Sequence, residues 1–310
     1  MPDLTINIGK LKLKNPVMVA SGTFGYAEEF NDLMALKKLG AIITKTITLK
    51  PRQGNLPPRT CETPAGMLNS IGLENPGWEV FIQEKLPHLK KIGVPIIMSI
   101  ASEDNPEEFE ILARRINVIK EISAIELNIS CPNIKAASRK PQAARLISQD
   151  PKATYTLLKK VRKATQKTLI TKLSPNVTDI GEIAKAAEEA GSEVLSLINT
   201  LTAMSIDVSS RAPKIAAITA GLSGPAIRPI AVRMVWEVYQ KVRIPIIGIG
   251  GVIDTSSALE FFIAGATAVA VGTANFINPE VSIEIIEGIK KYLIKNKIKD
   301  IKSLIGTIKI

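Results

Sequence analysis

The sequence predicts a single (β/α)8 barrel, a TIM-type fold, and three observations support this prediction. Eight short apolar segments alternate with amphipathic ones along the 310 residues. Nearly every position in these segments is apolar, as in parallel strands that are covered on both faces. No GxGxxG turn follows the first segment, which argues against an open doubly wound sheet. We therefore expect one domain over residues 1–310, with an N-terminal hairpin and insertions after strands 2, 4 and 6.

The predicted elements follow one another along the chain. Residues 4–14 form the hairpin, and strands are expected at 17–20, 41–47, 96–101, 124–130, 168–174, 194–200, 244–250 and 268–274. Helices are expected at 28–39, 76–92, 106–121, 150–165, 179–191, 225–242, 254–265 and from 281 onward. Asp or Asn residues begin several of these helices, because their side-chain oxygen accepts an N–H of the first turn. These caps are Asp104 or Asn105, Asp150, Asp179 and Asp254. A long Pro- and Gly-rich insertion is expected at 48–77 and an irregular one at 201–224.

Composition argues against several classes of protein. The two cysteines, Cys61 and Cys131, are too few for a disulfide scaffold or for the four thiolates of an iron–sulfur cluster. The single histidine, His88, lies in a segment typical of a solvated helix face, which disfavours a Ser–His–Asp triad or a histidine-rich metal site. No apolar run approaches the roughly 18 residues of a membrane helix, and the first ten residues lack the apolar core of a signal peptide. We therefore expect a cytoplasmic protein without a metal.

The segment 124–133, AIELNISCPN, carries the strongest sign of chemistry. Its first part alternates with the period of a strand, and the proline then ends the strand. Cys131 thus lies where a buried strand becomes a loop, three residues after Asn128. A thiolate can move a proton and an amide can donate and accept hydrogen bonds, which suits a small polar ligand. The alternative is a small apolar cysteine before a turn.

The other predicted strands also end in polar residues or glycines. In a (β/α)8 barrel the active site is built from these carboxyl ends. The residues concerned are Ser21, Gly22, Lys45, Thr46, Ser99, Lys172, Asn199, Thr200, Gly250, Gly251, Gly272 and Thr273. A whole rim of such residues is difficult to explain by packing, so we predict a ligand site there.

Two features of this rim predict an anionic ligand with a phosphate group. Glycines follow strands 7 and 8, where barrel enzymes most often bind phosphate through backbone N–H groups. Lys45 and Lys172 would point into the barrel mouth, and buried ammonium groups are costly unless they face negative charge. The structural alternatives are tight-turn glycines and a lysine paired with Glu126.

The first insertion offers a third amide. Its segment 69–73, NSIGL, contains Asn69, which could converge with Asn128 and Asn199 on one ligand. Three amides suit a planar ligand with alternating C=O and N–H groups. Loop asparagines are more often turn residues, which is the alternative here.

Taken together, the chain resembles the catalytic subunit of class 1 dihydroorotate dehydrogenases. The matching segments are NPVMVASGTFGY, TKTITLKPRQGNLPPR, MLNSIGLENPG, ELNISCPN, TKLSPNVTD, INTLTAMSID, GLSGPAIRP, IPIIGIGGV and AVAVGTANF. They span nearly the whole chain, in the order and spacing of the family. The INTLTAMSID segment and the form of the first insertion resemble class 1B most.

The resemblance implies a reaction and a role for each matched residue. (S)-dihydroorotate would be oxidised to orotate in pyrimidine (UMP) biosynthesis, with Cys131 as the base at C5 and hydride passing from C6 to N5 of FMN. A lysine beside the flavin would stabilise negative charge on the reduced ring. The implied FMN contacts are Ser21, Lys45, Thr46, Ser99, Asn128, Lys172, Ile198, Gly224, Gly250, Gly251, Gly272 and Thr273. The implied substrate contacts are Lys45, Asn69, Ser70, Ile71, Gly72, Leu73, Asn128, Asn199 and Thr200.

The resemblance also implies partners. Class 1B members work with a second subunit that carries FAD and a 2Fe–2S cluster and passes electrons to NAD. A homodimer, or a heterotetramer with such a subunit, is therefore expected.

Three features depart from the family pattern. Ser99 replaces a common flavin-contacting Asn, and Ala220 replaces a Gly. The loop after Asn133, IKAASRKPQAARL, lacks the usual glycines and would cover Cys131. These departures bear on the electron acceptor more than on the reaction with dihydroorotate.

Two other functions fit parts of the sequence. A tRNA dihydrouridine synthase is also an FMN barrel with a cysteine beside a proline, and the net charge of +11 would suit RNA. Solvated helix faces account better for that charge. The sequence shows no separate C-terminal helical RNA-binding domain, and the insertion motif favours a small acid, so we expect neither nucleic acid nor membrane as a partner. A non-catalytic flavin-binding subunit is the second alternative.

Overall fold

A closed barrel of eight parallel strands forms the centre of the fold. The structure, a computed structural model, describes residues 1–102, 105–131 and 147–309. The barrel strands are β1 (Val17–Val19), β2 (Ala41–Ile43), β3 (Ile96–Ile100), β4 (Ile122–Asn128), β5 (Thr168–Lys172), β6 (Val194–Leu197), β7 (Ile246–Ile249) and β8 (Ala268–Val271). Each strand pairs with the next in chain order, and β8 closes on β1. The predicted (β/α)8 barrel is confirmed.

Helices connect most of these strands on the outside of the barrel. In the described part of the chain they are α1 (Gly77–Val80), α2 (Leu86–Ile92), α3 (Glu107–Asn117), α4 (Pro151–Ala164), α5 (Ile180–Glu189), α6 (Arg228–Tyr239), α7 (Thr255–Ala264), α8 (Ala274–Ile277) and α9 (Val281–Lys295). A π-helical turn, Phe81–Lys85, joins α1 to α2.

The predicted helix caps are largely confirmed. The side chains of Asp150, Asp179 and Asp254 each accept an N–H from the first turn of α4, α5 and α7. At α3 the Asn105 side chain accepts the N–H of Glu107 at 3.0 Å. Asp104, the other candidate there, lies outside the described residues.

The predicted helix at 28–39 is wrong. The chain forms two 3-10 turns instead, Glu28–Phe30 and Leu36–Lys38. The segment has no α-helix cap at its start, because Ala27 has a φ of 67° and no side-chain oxygen to accept an N–H of the first turn.

The insertions after β2 and β6 both contain strands, which corrects the expectation that the second insertion is irregular. Four of these strands form one antiparallel sheet in the order Leu201–Ala203, Ala220–Ser223, Gly66–Asn69 and Thr60–Thr63. A small pair, Ile206–Asp207 and Ala212–Pro213, lies within the second insertion. The register places Asn69 opposite Gly221, so two segments distant in sequence jointly border the barrel mouth.

The predicted N-terminal hairpin is present at the opposite end of the barrel. Ile6–Ile8 pairs with Leu11–Leu13, and the Lys10 N–H donates to the Thr168 hydroxyl at 2.9 Å. Because Thr168 begins β5, the hairpin covers the amino ends of the strands and leaves the carboxyl ends open.

Replacing Asp254 by alanine is expected to destabilise the fold by about 1 kcal/mol at pH 7, because α7 loses its cap. The Ser257 N–H donates to Asp254 at 2.7 Å and holds the pKa of that carboxyl below its ordinary value. The part of the stabilisation that depends on the negative charge is therefore fully present above the ordinary aspartate pKa, about 3.9, and is lost as pH falls through the lowered pKa. Urea unfolding at pH 7 and at lower pH measures the difference.

The matched control for this prediction is Asp32→Ala, which removes an exposed aspartate from a turn. Asp254→Asn should retain most of the stability, since an amide also caps a helix. Equal destabilisation by Asp32→Ala and Asp254→Ala would show that the cap contributes nothing.

Candidate active site

One cavity lies at the carboxyl ends of the barrel strands, and strand register brings its residues together. The register of β4 and β5 places Asn128 directly opposite Lys172. The predicted site residues that line the cavity are Ser21, Lys45, Thr46, Asn69, Ile71, Gly72, Leu73, Asn128, Cys131, Lys172, Ile198, Asn199, Thr200, Gly224, Gly250, Gly251, Gly272 and Thr273. The cysteine, both lysines, the three amides and the glycines thus meet at one site.

Two predicted site residues do not line this cavity. Ser99 is fully buried in β3, where its hydroxyl lies 3.0 Å from that of Thr46. Ser70 is buried in the first insertion, where it accepts a hydrogen bond from the Asn55 side chain at 2.8 Å. Ser99 thus supports the cavity residue Thr46 from behind.

Lys45 and Lys172 supply positive charge and pair with no carboxylate among the residues that the structure describes. Lys172 is 6% exposed, and its Nζ donates to the Ser21 hydroxyl at 3.3 Å. The half-buried Lys45 ammonium makes no hydrogen bond or ion pair with the residues that the structure describes. The alternative pairing with Glu126 is not formed, because the two oxygens of Glu126 accept from Ser99 and Ser196. Such a pair of cations favours a negatively charged ligand.

The amides at the site are held by a network of hydrogen bonds. Asn128 Nδ2 donates to the Thr46 hydroxyl at 3.1 Å. Asn199 Nδ2 donates to Asn128 Oδ1 at 3.2 Å and to the Ser130 hydroxyl at 2.9 Å. The Thr200 N–H donates to Asn199 Oδ1 at 2.8 Å. These bonds fix the two amides before any ligand arrives.

Cys131 lies three residues after the end of β4 and is 8% exposed. Neither Cys131 nor Cys61 forms a disulfide. Cys61 lies on the strand Thr60–Thr63 of the four-stranded antiparallel sheet and does not line the cavity. His88 lies half-buried on α2 rather than fully solvated. The predicted cover over Cys131, residues 134–146, falls outside the described residues, as do Pro132 and Asn133.

The glycines of the rim divide into two kinds. Gly250 and Gly251 have φ angles of 125° and 76°, so the turn after β7 requires them. A Cβ at Gly251 would lie 2.6 Å from the Arg228 Cβ. A Cβ at Gly272 would meet only the Ala20 Cβ, at 3.8 Å. The fold does not require glycine at 272, and the missing side chain leaves room for a ligand beside the backbone.

The segment 69–73 is shaped by its neighbours. Gly72 and Leu73 have φ angles of 74° and 57°, which is rare for leucine. Asn75, 5% exposed, donates to the Leu73 carbonyl at 2.7 Å and accepts the N–H of Gly77 at 2.9 Å. Arg52 Nε donates to the Gly72 carbonyl at 3.3 Å. The loop therefore presents its residues to the cavity in a fixed conformation.

Three polar lining residues were missed by sequence reasoning. The Thr23 hydroxyl is buried with no hydrogen-bond partner among the described residues, so it is available to a ligand. The Ser223 hydroxyl accepts from Thr273 at 2.8 Å. Glu74 is paired with Arg59, which directs its charge away from the lysines. Thr23 could have been found from its place two residues after Ser21 in ASGTFGY.

The fold and the site define a (β/α)8 protein with a candidate ligand site, lined by two lysines, at the carboxyl ends of its strands. In residues 1–102, 105–131 and 147–309 no group of three or more His, Cys, Asp or Glu side chains could hold a metal ion. Over the same residues, none of the helices has the length and apolar character needed to cross a bilayer.

Comparison with known proteins makes the assignment more specific. The family model described as "Dihydroorotate dehydrogenase" matches residues 3–293. A "Dihydroorotate dehydrogenase B (NAD(+)), catalytic subunit" from Trichlorobacter lovleyi is 52% identical over 307 residues, covering 99% of both chains. The protein of the same name from Thermoanaerobacter pseudethanolicus is 49% identical over 308 residues, again covering 99% of both chains.

The fold is also found among solved structures. The crystal structure of DHODH from Eimeria tenella in complex with ferulenol matches with a TM-score of 0.79 and 22% identity, over 99% of this chain and 89% of that one. The chain belongs to the dihydroorotate dehydrogenase family, whose members are oxidoreductases acting on CH–CH bonds. Its relatives at about 50% sequence identity are class 1B catalytic subunits. This decides against the tRNA dihydrouridine synthase alternative.

Proposed function

We propose that this chain oxidises (S)-dihydroorotate to orotate in pyrimidine biosynthesis, with FMN as cofactor and Cys131 as the base. The observation that carries the proposal is one cavity in which a strand-end thiol, two lysines and three amides meet. In the described part of the chain, neither lysine pairs with a carboxylate. Dihydroorotate is a small ring with alternating C=O and N–H groups and one carboxylate, so each of these groups has a counterpart on it.

The residues present suit FMN. The backbone N–H groups after β7 and β8, at Gly250, Gly251, Gly272 and Thr273, would hold the phosphate. Lys172, Asn128 and Thr46 would contact the ring system, and the Thr23 hydroxyl offers a further hydrogen bond. The chemistry that FMN supplies when bound is acceptance of the hydride from C6.

The remaining residues would bind and orient the substrate. Lys45 would pair with the carboxylate, while Asn69, Asn128 and Asn199 would bond the ring edges. The Cys131 thiolate would take the proton from C5 and become a thiol. The electron pair of that C5–H bond then forms the C5–C6 double bond of orotate as hydride leaves C6, so electrons and protons balance.

The partners are part of the same proposal. The relatives from T. lovleyi and T. pseudethanolicus are named as catalytic subunits of NAD(+) enzymes. A second subunit with FAD and a 2Fe–2S cluster would pass electrons to NAD, and the expected assembly is a homodimer of this chain within a heterotetramer. One domain over 1–310 and a cytoplasmic location stay predictions.

Anaerobic addition of dihydroorotate to the purified flavoprotein tests the function. We expect the flavin absorbance to bleach and orotate to form in equal amount. A non-catalytic flavin-binding subunit would show no bleaching, which would contradict the proposal. Reoxidation by NAD, fumarate or a quinone, with and without the partner subunit, then identifies the electron acceptor.

Gly272→Val is expected to abolish most FMN binding without unfolding the protein. The added side chain starts in open space beside Ala20, so the fold should tolerate it, while it fills the room where a ligand approaches the backbone. Fluorescence titration of the apoprotein measures FMN affinity, and thermal melting measures stability. Unchanged FMN affinity in a normally folded variant would exclude Gly272 from the cofactor site.

A further inference from the structure

Glu126 is a carboxyl group in the interior of the barrel that the proposed reaction does not use. It lies on β4 and is 0% exposed. Residues two apart on a strand share a face, so Glu126 lies directly below Asn128. Its two oxygens accept the hydroxyls of Ser99 at 2.9 Å and Ser196 at 3.0 Å, and no cation pairs with it among the described residues. A buried carboxyl group is costly, so its presence requires a physical reason.

One of its two hydroxyl partners connects it to the cavity. Ser99 Oγ lies 3.0 Å from Thr46 Oγ1, and Thr46 Oγ1 accepts from Asn128 Nδ2 at 3.1 Å. A hydroxyl group has a single hydrogen to donate. Because Ser99 gives its hydrogen to the carboxylate, it can only accept from Thr46. The hydrogen of Thr46 is then committed to Ser99, so Thr46 can only accept from Asn128.

The donor-to-acceptor direction of these hydrogen bonds determines how the Asn128 amide is oriented. Its Nδ2 faces Thr46, and its Oδ1 accepts from Asn199 Nδ2 at 3.2 Å. If the amide flipped, Oδ1 would face an oxygen with no hydrogen to give, and Nδ2 would face another Nδ2. The second hydrogen of Asn128 Nδ2 is therefore available to an acceptor atom of the ligand.

We propose that Glu126 is a positioning residue, which acts through Ser99 and Thr46 to hold Asn128 as a hydrogen-bond donor toward the ligand. This role also accounts for Ser99, which lies below the cavity instead of lining it. The inference rests on the proposed function in one respect, because orotate is the ligand used to test it.

Ser99→Ala and Ser196→Ala form a matched pair for the test. Both serines are fully buried and both donate to the same carboxylate, but only Ser99 is also hydrogen-bonded to Thr46. We expect Ser99→Ala to raise the orotate Kd of the FMN-loaded protein about three- to ten-fold, the effect of one hydrogen bond. Ser196→Ala should change it less than about two-fold, with a similar loss of thermal stability. Orotate binding is measured by titration of the flavin absorbance.

A double variant tests whether Ser99 and Thr46 act on Asn128 through the same series of hydrogen bonds. Ser99→Ala added to Thr46→Val should weaken orotate binding no further than Thr46→Val alone, since both changes interrupt one chain. If Ser99→Ala does not fold, Ser99→Cys keeps a weak donor at the same place and should give an intermediate Kd.

The outcomes separate two kinds of failure. If the unaltered protein does not bind orotate, the proposed function fails. If it binds orotate and the two serine variants bind it equally well, or if the Ser99 and Thr46 effects add, the positioning role of Glu126 is overturned.

Discussion

Replacing Cys131 by alanine is expected to slow the oxidation of dihydroorotate by about 10²- to 10⁴-fold, the usual contribution of a positioned base. The thiol lies at the end of β4, in the same cavity as both lysines and the three amides. FMN content should be unchanged, because the proposed phosphate and ring contacts lie on other residues. Stopped-flow measurement of anaerobic flavin reduction gives the rate, and the flavin absorbance of the purified protein gives the content.

Two further variants sharpen this prediction. Cys61→Ala removes the other thiol, which lies in the four-stranded antiparallel sheet, and should leave the rate of flavin reduction unchanged. Cys131→Ser should retain more activity at high pH than at neutral pH, because a hydroxyl gives up its proton far less readily than a thiol. A Cys131→Ala enzyme with the unaltered rate would show that another group is the base.

Lys45→Met is expected to weaken the binding of dihydroorotate and orotate about ten- to hundred-fold, the effect of one charge-assisted hydrogen bond. The Lys45 ammonium is bonded to no other residue in the described part of the chain, so its removal leaves no protein group unpaired. The loss should therefore fall on the ligand rather than on folding. The KM for dihydroorotate and the Kd for orotate measure it.

Lys50→Met is the matched control, because it makes the same change of charge five residues away at an exposed position outside the cavity. It should alter the orotate Kd less than about two-fold, since exposed charges are screened by solvent and salt. Equal effects of the two substitutions would show that only overall charge matters. Full orotate affinity in Lys45→Met would remove Lys45 from the substrate site.

Much of the fold could be predicted because its signals are local. Continuous apolar runs indicate strands buried on both faces, and an aspartate before a helical pattern indicates a cap, as at Asp254. The rule that barrel enzymes use the carboxyl ends of their strands then selected the rim residues, and all but Ser99 and Ser70 of the predicted site line the cavity.

The wrong predictions concern segments whose structure depends on features that a local sequence pattern does not contain. The segment 28–39 has helical composition, but it follows Ala27, whose left-handed backbone and short side chain provide no cap for an α-helix. The second insertion looks irregular because its strands pair with the first insertion, over one hundred residues away, as Asn69 and Gly221 do.

The sequence alone therefore determined the barrel, the family and the set of residues at its mouth, since each rests on period, spacing or motif. Only the tertiary structure decided how those residues are bonded. Asn128 and Thr46 are 82 positions apart, and Thr46 and Ser99 are 53 apart, so their contact depends on the register of β2, β3 and β4. A hydrogen bond forms only when the donor–acceptor distance is right to within a few tenths of an ångström. Closure of the whole barrel sets those distances.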